Sequence, residues 1–197
     1  MDNNERLYTL LVYSENTPGL LSQITAIFTR RQVNIESLNV CSSSVPGIHK
    51  YTITCVCTEE MVKMLRLQME KRIDVLQAKY YIDEELFILE GALIKVSTPT
   101  MLKNPEISHI IRVTGGHIVE VNPTYCIVEK IGRTSTILSL YEQLKELGAV
   151  LQFTRTGRIC VTRSHEEHLF KFLEKRAAAK ARLEANSLSP SQSPKGE

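Results

Sequence analysis

The hydrophobic residues of this chain recur with two periods, one typical of β-strands and one typical of amphipathic helices. Residues 7–13 form a short, β-favouring apolar run that ends at a polar loop. From Leu20 onward, the apolar positions 20, 21, 24, 27 and 28 lie on one face of a helix. The pattern predicts six elements: a strand at 7–13, a helix from Leu20, a hairpin of strands at 33–40 and 51–57, a helix at 59–72 and a strand at 73–81.

This order predicts a ferredoxin-like fold, in which four antiparallel strands carry both helices on one face. The opposite face of the sheet is then expected to remain free for a partner. The same pattern restarts after the polar join at 83–85. Its predicted elements are strands at 89–96, 117–122, 125–131 and 150–154, helices at 104–113 and 134–147, and a further edge strand at 158–163.

The predicted fold class is therefore α+β, with two ferredoxin-like βαββαβ domains and a C-terminal tail. We place the first domain at residues 6–82, the second at 87–164, and the tail at 165–197. The tail is helix-permissive and highly charged over 165–185. Its last residues contain Ser-Pro twice and no aromatic residue, so they are expected to be disordered.

Composition favours a soluble globular protein, since 43% of the residues are hydrophobic and 23% are charged. The net charge of +2 implies no acidic partner. No apolar stretch approaches the roughly 20 residues of a membrane helix, and residues 1–5 are acidic rather than basic as in a signal peptide. A cytoplasmic location is therefore expected. The five cysteines lack a CxxC pair and are interpreted as reduced, packed thiols.

The turn between the first strand and the first helix allows two interpretations. Thr17 is a good N-cap, and Pro18 suits the first helical position. Gly19 would then occupy the second position, where glycine costs up to about 1 kcal/mol relative to alanine. One interpretation is an ordinary capped helix. In the other, the free amides of residues 19–21 hold a small carboxylate, and Asn16 binds the ligand's ammonium or carboxylate.

Other signals for chemistry are weak. His165 and His168 are three residues apart, whereas the zinc-protease motif needs histidines four apart, so a solvated helix start is preferred. The sequence contains no glycine-rich phosphate loop and favours no Ser-His-Asp or Cys-His set. The strands that bind RNA in some ferredoxin-like sheets here offer Ile, Val, Cys and Asn instead of aromatic residues. We therefore predict no catalytic residue, no metal site and no nucleic-acid partner.

Two motifs resemble the amino-terminal ACT domain of acetohydroxyacid synthase (acetolactate synthase) small subunits. They are Asn16-x-Pro18-Gly19-Leu20-Leu21 and Phe28-x-Arg30-Arg31-x-x-Asn34-Ile35-Glu36-Ser37-Leu38. The similarity continues through further segments and covers about residues 6–164. These segments are Ile73-Asp74-Val75, Glu90 to Val96, Gly116-x-Ile118-Val119-Glu120-Val121 and Arg155-Thr156-Gly157-Arg158.

The resemblance implies a regulatory subunit without catalysis of its own. In this family the large subunit condenses pyruvate with pyruvate or 2-oxobutyrate, at the entry to branched-chain amino acid synthesis. Thiamine diphosphate, magnesium and FAD are expected on that large subunit, and no cofactor is expected on this chain. The implied partners are the large subunit, a second copy of the chain bound through its ACT domain, and a branched-chain amino acid, usually valine. Activation of the large subunit and feedback inhibition by valine are the implied functions, and no membrane partner is implied.

The resemblance also implies the effector-binding residues. Asn16, Gly19 and Leu20 would hold the polar end of the amino acid, while Asn34 and Ile35 would come from the neighbouring copy. Two other hypotheses stay open. One is a free-standing ACT-domain sensor acting on another partner, and the other is an enzyme in its own right. The chain also departs from the family in placing Gln32 where many relatives have glycine, which bears on the geometry of the helix end.

Overall fold

The computed structural model describes residues 4–165, 169–170, 172–174 and 178. The described residues up to Arg163 belong to one compact unit, and the described residues from Ser164 onward belong to a second unit. Within the second unit, residues 169–170, 172–174 and 178 have helical backbone. His165, where a helix start was preferred, lies in a bend and is not helical. The remaining residues of the segment predicted at 165–185, including His168, and the predicted disordered end lie outside the described residues.

The first sheet contains four antiparallel strands in the order β2-β3-β1-β4. Its elements are β1 (Arg6–Glu15), α1 (Leu20–Arg30), β2 (Ser37–Ser42), β3 (Ile48–Cys57), α2 (Glu59–Glu70) and β4 (Val75–Tyr81). The predicted order of six elements is confirmed. β2 begins later than predicted, because residues 31–36 form the end of α1 and a connecting loop.

The second sheet repeats this architecture in the order β6-β7-β5-β8. It follows a 3-10 turn at Asp83–Glu85. Its elements are β5 (Leu86–Ser97), α3 (Thr98–Lys103), α4 (Pro105–Val113), β6 (His117–Val121), β7 (Tyr125–Gly132), α5 (Thr134–Glu146) and β8 (Val150–Thr162). The predicted α+β class with two ferredoxin-like folds is confirmed.

Two details of the second sheet differ from the prediction. The short helix α3 was not predicted; Ser97 caps it by accepting a hydrogen bond from the Thr100 amide at 3.3 Å. The separate edge strand predicted at 158–163 is wrong, because β8 is one strand that continues through a bulge. At this bulge Gly157 adopts a φ of 75°, a conformation that glycine reaches without steric cost.

Alternating side chains of the strands form two hydrophobic cores. In β1, Tyr8, Leu10 and Val12 point to the helices and are almost fully buried. They pack with the buried face of α1, to which Ile24 and Phe28 belong. The second core is built in the same way by β5, β7, α4 and α5. Burial of these apolar faces explains why the hydrophobic periodicity predicted most of the elements correctly.

The outer face of the first sheet is largely covered, so the prediction of a free face is wrong. Leu11 points to this face, yet it is only 4% exposed because it packs with Leu86 and Cys160. Lys50 on β3 donates a hydrogen bond to the Cys160 carbonyl oxygen at 2.9 Å. The second half of β8 therefore lies against the first sheet while pairing with β5 in its own sheet.

The cysteines are free thiols, but one of them is not packed as predicted. Cys41 is exposed on the edge strand β2. The other four are buried: Cys55, Cys57, Cys126 and Cys160. Because hydrophobic surroundings disfavour a thiolate, burial raises the pKa of the Cys126 and Cys160 thiols.

None of the helices formed by the described residues combines the length and apolar character needed to cross a bilayer. The cytoplasmic location stays a prediction.

Candidate functional site

The start of α1 differs from the prediction in the residue that caps it. The helix begins at Leu20, and Gly19 is its N-cap residue, with φ 84° and ψ −8°. Thr17 is therefore not the N-cap, and Gly19 is not inside the helix. A left-handed N-cap explains the glycine, since an L-residue would be strained in this conformation. No side chain caps this end of α1.

The backbone amides at the start of α1 are mostly unpaired. Within the part of the chain that the structure describes, the amides of Gly19, Leu21 and Ser22 make no hydrogen bond. The Leu20 amide was predicted to be free, but it donates to the Thr17 carbonyl oxygen at 3.3 Å. The structure thus adds the Ser22 amide, which the sequence argument missed because it started the helix two residues too early. Three unpaired donors within four residues at a helix start favour an anion.

Space is available in front of these amides. Asn16 and Gly19 are exposed, and no atom lies within 4 Å of the place where a Cβ of Gly19 would be. The loop itself is held by its neighbours, because the Asn16 amide donates to the Gly47 carbonyl oxygen at 3.0 Å. The Glu15 amide likewise donates to the Asp74 carbonyl oxygen at 2.9 Å. The amides are therefore both accessible and fixed in position.

The other end of α1 forms a Schellman motif. The Val33 amide donates to the Phe28 carbonyl oxygen at 3.1 Å, and the Gln32 amide donates to the Thr29 carbonyl oxygen at 3.1 Å. This motif requires a left-handed residue, and Gln32 takes that role with φ 54°. It is the one non-glycine residue with a positive φ among the residues described.

Asn34 and Ile35 follow this motif and lie in the loop before β2, not on a strand as predicted. Asn34 is exposed, whereas Ile35 is half-buried against the first core. The loop joins the sheet at the next residue, since the Glu36 amide donates to the Thr54 carbonyl oxygen at 2.8 Å. The side chain of Asn34 is thus presented to solvent beside the edge strand β2.

One copy of the chain does not bring the five predicted effector-binding residues together. Asn16, Gly19 and Leu20 lie at the start of α1, while Asn34 and Ile35 follow its end. The 11 residues of α1 separate these groups by roughly 16 Å, at about 1.5 Å per residue. A bound amino acid is too short to contact both groups in one chain.

Apart from the two ends of α1, a cavity of about 830 Å³ lies between the two sheets. Residues 36–38 line one side of it and residues 155–158 line the other, so two motifs distant in sequence meet here. At its wall the buried carboxylate of Glu90 accepts hydrogen bonds from Thr134 Oγ1 at 2.6 Å and Arg155 Nη1 at 3.0 Å. Glu90 is 3% exposed, so these two bonds compensate a charge that water cannot solvate.

The bulge in β8 gives this cavity its shape. Thr156 Oγ1 accepts a hydrogen bond from the Gly91 amide at 3.0 Å, which ties the bulge to β5. A Cβ on Gly157 would lie 3.3 Å from the Cβ of Ser37, so the two sheets approach closely at this point. Arg158 is held by Asp83 at 2.7 Å. These contacts make the Arg155–Arg158 motif a structural junction between the sheets.

Comparison with known proteins shows that both halves of this sequence match one protein family. The family model described as small subunit of acetolactate synthase matches residues 89–164, and the AHAS small subunit-like ACT domain matches residues 10–77. The acetolactate synthase small subunit of Bacillus subtilis is 32% identical over 164 residues, which are 83% of this chain and 93% of the relative. A probable acetolactate synthase small subunit of Methanothermobacter thermautotrophicus is 29% identical over 163 residues, which are 83% and 95% of the two chains.

A solved structure has the same fold. The crystal structure of the acetolactate synthase small subunit from Thermotoga maritima aligns with a TM-score of 0.74 at 24% identity, over 82% of this chain and 99% of that chain. The sequence matches extend across both sheets, and the fold match covers them as well. From these matches, this chain belongs to the family of acetolactate synthase small subunits.

Proposed function

We propose that this chain is the regulatory subunit that binds the large catalytic subunit of acetolactate synthase, raises its activity and confers feedback inhibition by valine. In this proposal thiamine diphosphate, magnesium and FAD belong to the large subunit. Family membership supports the assignment to the holoenzyme. The observation that carries the effector site is the accessible start of α1, with three unpaired amides beside Asn16.

The carboxylate of valine fits this helix start for electrostatic reasons. The unpaired amides of Gly19, Leu21 and Ser22 each present a donor, and the helix dipole adds about half a positive charge at the same end. A carboxylate oxygen accepts hydrogen bonds from such donors as a phosphate does. The exposed amide side chain of Asn16 is then available for the rest of the ligand's polar end.

A second copy of the chain completes the site. β2 is an edge strand of the first sheet, and Asn34 and Ile35 lie in the loop that leads into it. A two-fold axis beside this edge would set the α1 helices of two copies antiparallel, so that the start of one helix faces the end of the other. Asn34 and Ile35 of the second copy would then lie near the amides of the first, although in one chain they are roughly 16 Å away.

Such a shared site couples the ligand to the arrangement of the subunits. An amino acid that contacts both copies stabilises the arrangement of subunits in which these contacts form. The population of the competing arrangement therefore falls. The large subunit responds if it binds the two arrangements with different affinity. Valine would thereby inhibit without entering the catalytic centre.

The test of the effector site is calorimetric titration of valine, leucine and isoleucine into the wild-type protein and Gly19→Asp. The introduced carboxylate repels that of the ligand, so we expect a loss of valine affinity of at least about tenfold. Gly148→Asp is the matched control, because Gly148 also has a positive φ of 64° and no atom within 4 Å of its Cβ position. Equal valine affinity in the wild-type protein and Gly19→Asp would remove Gly19 from the site.

The test of the regulatory role uses the holoenzyme. The chain is co-purified with the large subunit, and acetolactate formation from pyruvate is measured with and without valine. We expect the complex to be more active than the large subunit alone and to be inhibited by valine. Turnover by this chain without a large subunit would refute the regulatory assignment. Failure to bind the large subunit, with valine affinity retained, would instead favour a free-standing sensor.

A further inference from the structure

The carboxyl ends of α1 and α2 enclose a cleft of about 430 Å³, and none of the five predicted effector-binding residues lines it. Its lining is Arg30, Arg31, Gln68, Lys71 and Arg72. Four of these five side chains are cationic, and no carboxylate lines the cleft. The cleft therefore carries a high local positive charge, although the net charge of the protein is only +2.

The two cations within α2 are each paired with a carboxylate one turn away. Lys63 pairs with Glu59 at 2.7 Å, and Arg66 pairs with Glu70 at 2.7 Å. Within the part of the chain that the structure describes, the four cations of the cleft form no ion pair. Arg66 belongs to the same helix α2 as Gln68, so the contrast is local.

The helix dipoles do not account for this charge. The carboxyl end of each helix carries about half a negative charge, so α1 and α2 together supply about one unit. Four cationic side chains face that one unit, which leaves a surplus of roughly three positive charges. Mutual repulsion in such a cluster is relieved by a bound counter-charge.

One guanidinium of the cleft is held in place. When the Gln68 amide is oriented so that its oxygen faces α1, this oxygen accepts a hydrogen bond from Arg31 Nε at 3.2 Å. The contact joins α1 to α2 across the cleft and fixes the plane of the Arg31 guanidinium. A guanidinium that is already oriented loses less entropy when it forms a bidentate contact with an oxyanion.

We propose that this cleft binds a small multivalent oxyanion of the phosphoryl class. Planar guanidinium groups match the geometry of phosphoryl oxygens and form paired, charge-assisted hydrogen bonds with them. A volume of about 430 Å³ is in the range of small-molecule sites, roughly 300–1,000 Å³. The cleft is concave and is lined by five side chains, whereas a stable protein–protein interface buries about 800 Å² per partner.

The experiment is calorimetric titration of pyrophosphate into the full-length protein at low ionic strength. We expect Arg31→Gln and Arg72→Gln each to weaken pyrophosphate binding by at least about tenfold, since each removes a charge-assisted donor. Arg31→Lys keeps the charge but removes the planar fork, so an intermediate loss is expected. The matched control is Arg66→Gln, whose guanidinium is on α2 but is paired with Glu70, and it should keep the wild-type affinity.

Several results would overturn the proposal. These are no measurable binding of pyrophosphate, equal affinity in Arg31→Gln, Arg72→Gln and Arg66→Gln, or binding of citrate as tight as that of pyrophosphate. Tighter binding of a poly-glutamate peptide would assign the cleft to an acidic protein segment instead. Unfolding midpoints of all variants are measured in parallel, so that a loss of binding is not mistaken for a loss of folding. Valine is titrated into the same variants, because in the proposed dimer Asn34 of a second copy, three residues after Arg31, also belongs to the effector site. Loss of pyrophosphate binding with unchanged valine affinity is the expected result, and an equal loss of both would overturn a separate oxyanion site.

Discussion

The left-handed conformation of Gln32 leads to a quantitative prediction for Gln32→Gly. An L-residue in this region costs roughly 1–2 kcal/mol relative to glycine. Glycine also loses more conformational entropy on folding, which costs about 0.5–1 kcal/mol. The strain is the larger of the two effects, so Gln32→Gly should raise the free energy of unfolding by about 0.5–1 kcal/mol.

The assay is urea denaturation followed by far-UV circular dichroism, at a fixed protein concentration. The midpoint should rise while the slope with urea stays constant, because the substitution does not change the surface exposed on unfolding. In a chain of 197 residues, 1 kcal/mol corresponds to about 2–4 °C, so the melting temperature should rise by roughly 1–4 °C.

Two variants separate this mechanism from a general effect of small side chains. Gln32→Ala keeps an L-residue at a φ of 54° and should gain no stability. Gln23→Gly places glycine inside α1 and should lose up to about 1 kcal/mol. A Gln32→Gly protein that is no more stable than the wild type, or a Gln32→Ala protein that gains as much, would refute the argument from backbone strain.

Two further predictions concern buried groups. Glu90→Gln removes the charge that Arg155 neutralises and should lower the free energy of unfolding by about 1–2 kcal/mol. This is less than the usual cost of breaking a buried ion pair, because the Arg155 side chain is 36% exposed. An unchanged urea midpoint would contradict this prediction. The raised pKa of the Cys126 and Cys160 thiols means that the unfolded chain loses these protons at a lower pH than the folded one. Their contribution to stability is therefore complete below the ordinary thiol pKa of about 8.5 and is lost as the pH rises through the folded pKa. Denaturation under reducing conditions from pH 7 to 10 should show this decline, with a smaller slope in Cys160→Ser, and equal slopes would count against it.

The sequence was informative wherever a periodic apolar face is buried. The apolar run predicted as β1 is buried from Tyr8 to Val12, and four of the five apolar positions predicted for α1 are buried, whereas Leu21 is 42% exposed. Most elements and both ferredoxin-like folds therefore followed from the pattern alone. α3 was missed because six residues are too few to show a helical period. The continuity of β8 was missed because Gly157 looks like a turn in the sequence, although it forms a bulge within a strand.

The candidate site was predictable in its location but not in its details. The sequence located Asn16, Gly19 and Leu20 at the start of α1, as the structure does. It did not distinguish an N-cap glycine from a helical one, because a single glycine is compatible with both conformations. This difference decides which amides are unpaired, and it explains the wrong prediction for Leu20 and the missed amide of Ser22. The contribution of a second copy stays a prediction.

The course of β8 limits how the protein can be dissected. Removing everything after residue 85 would uncover Leu11 and the buried outer face around it, since Leu86 and Cys160 supply the cover. The shortened chain would present an apolar patch to water and tend to self-associate. Loss of regulation in such a truncated chain would then reflect a destabilised first sheet and would not show the function of the second. Single-residue substitutions at the two ends of α1 avoid that ambiguity.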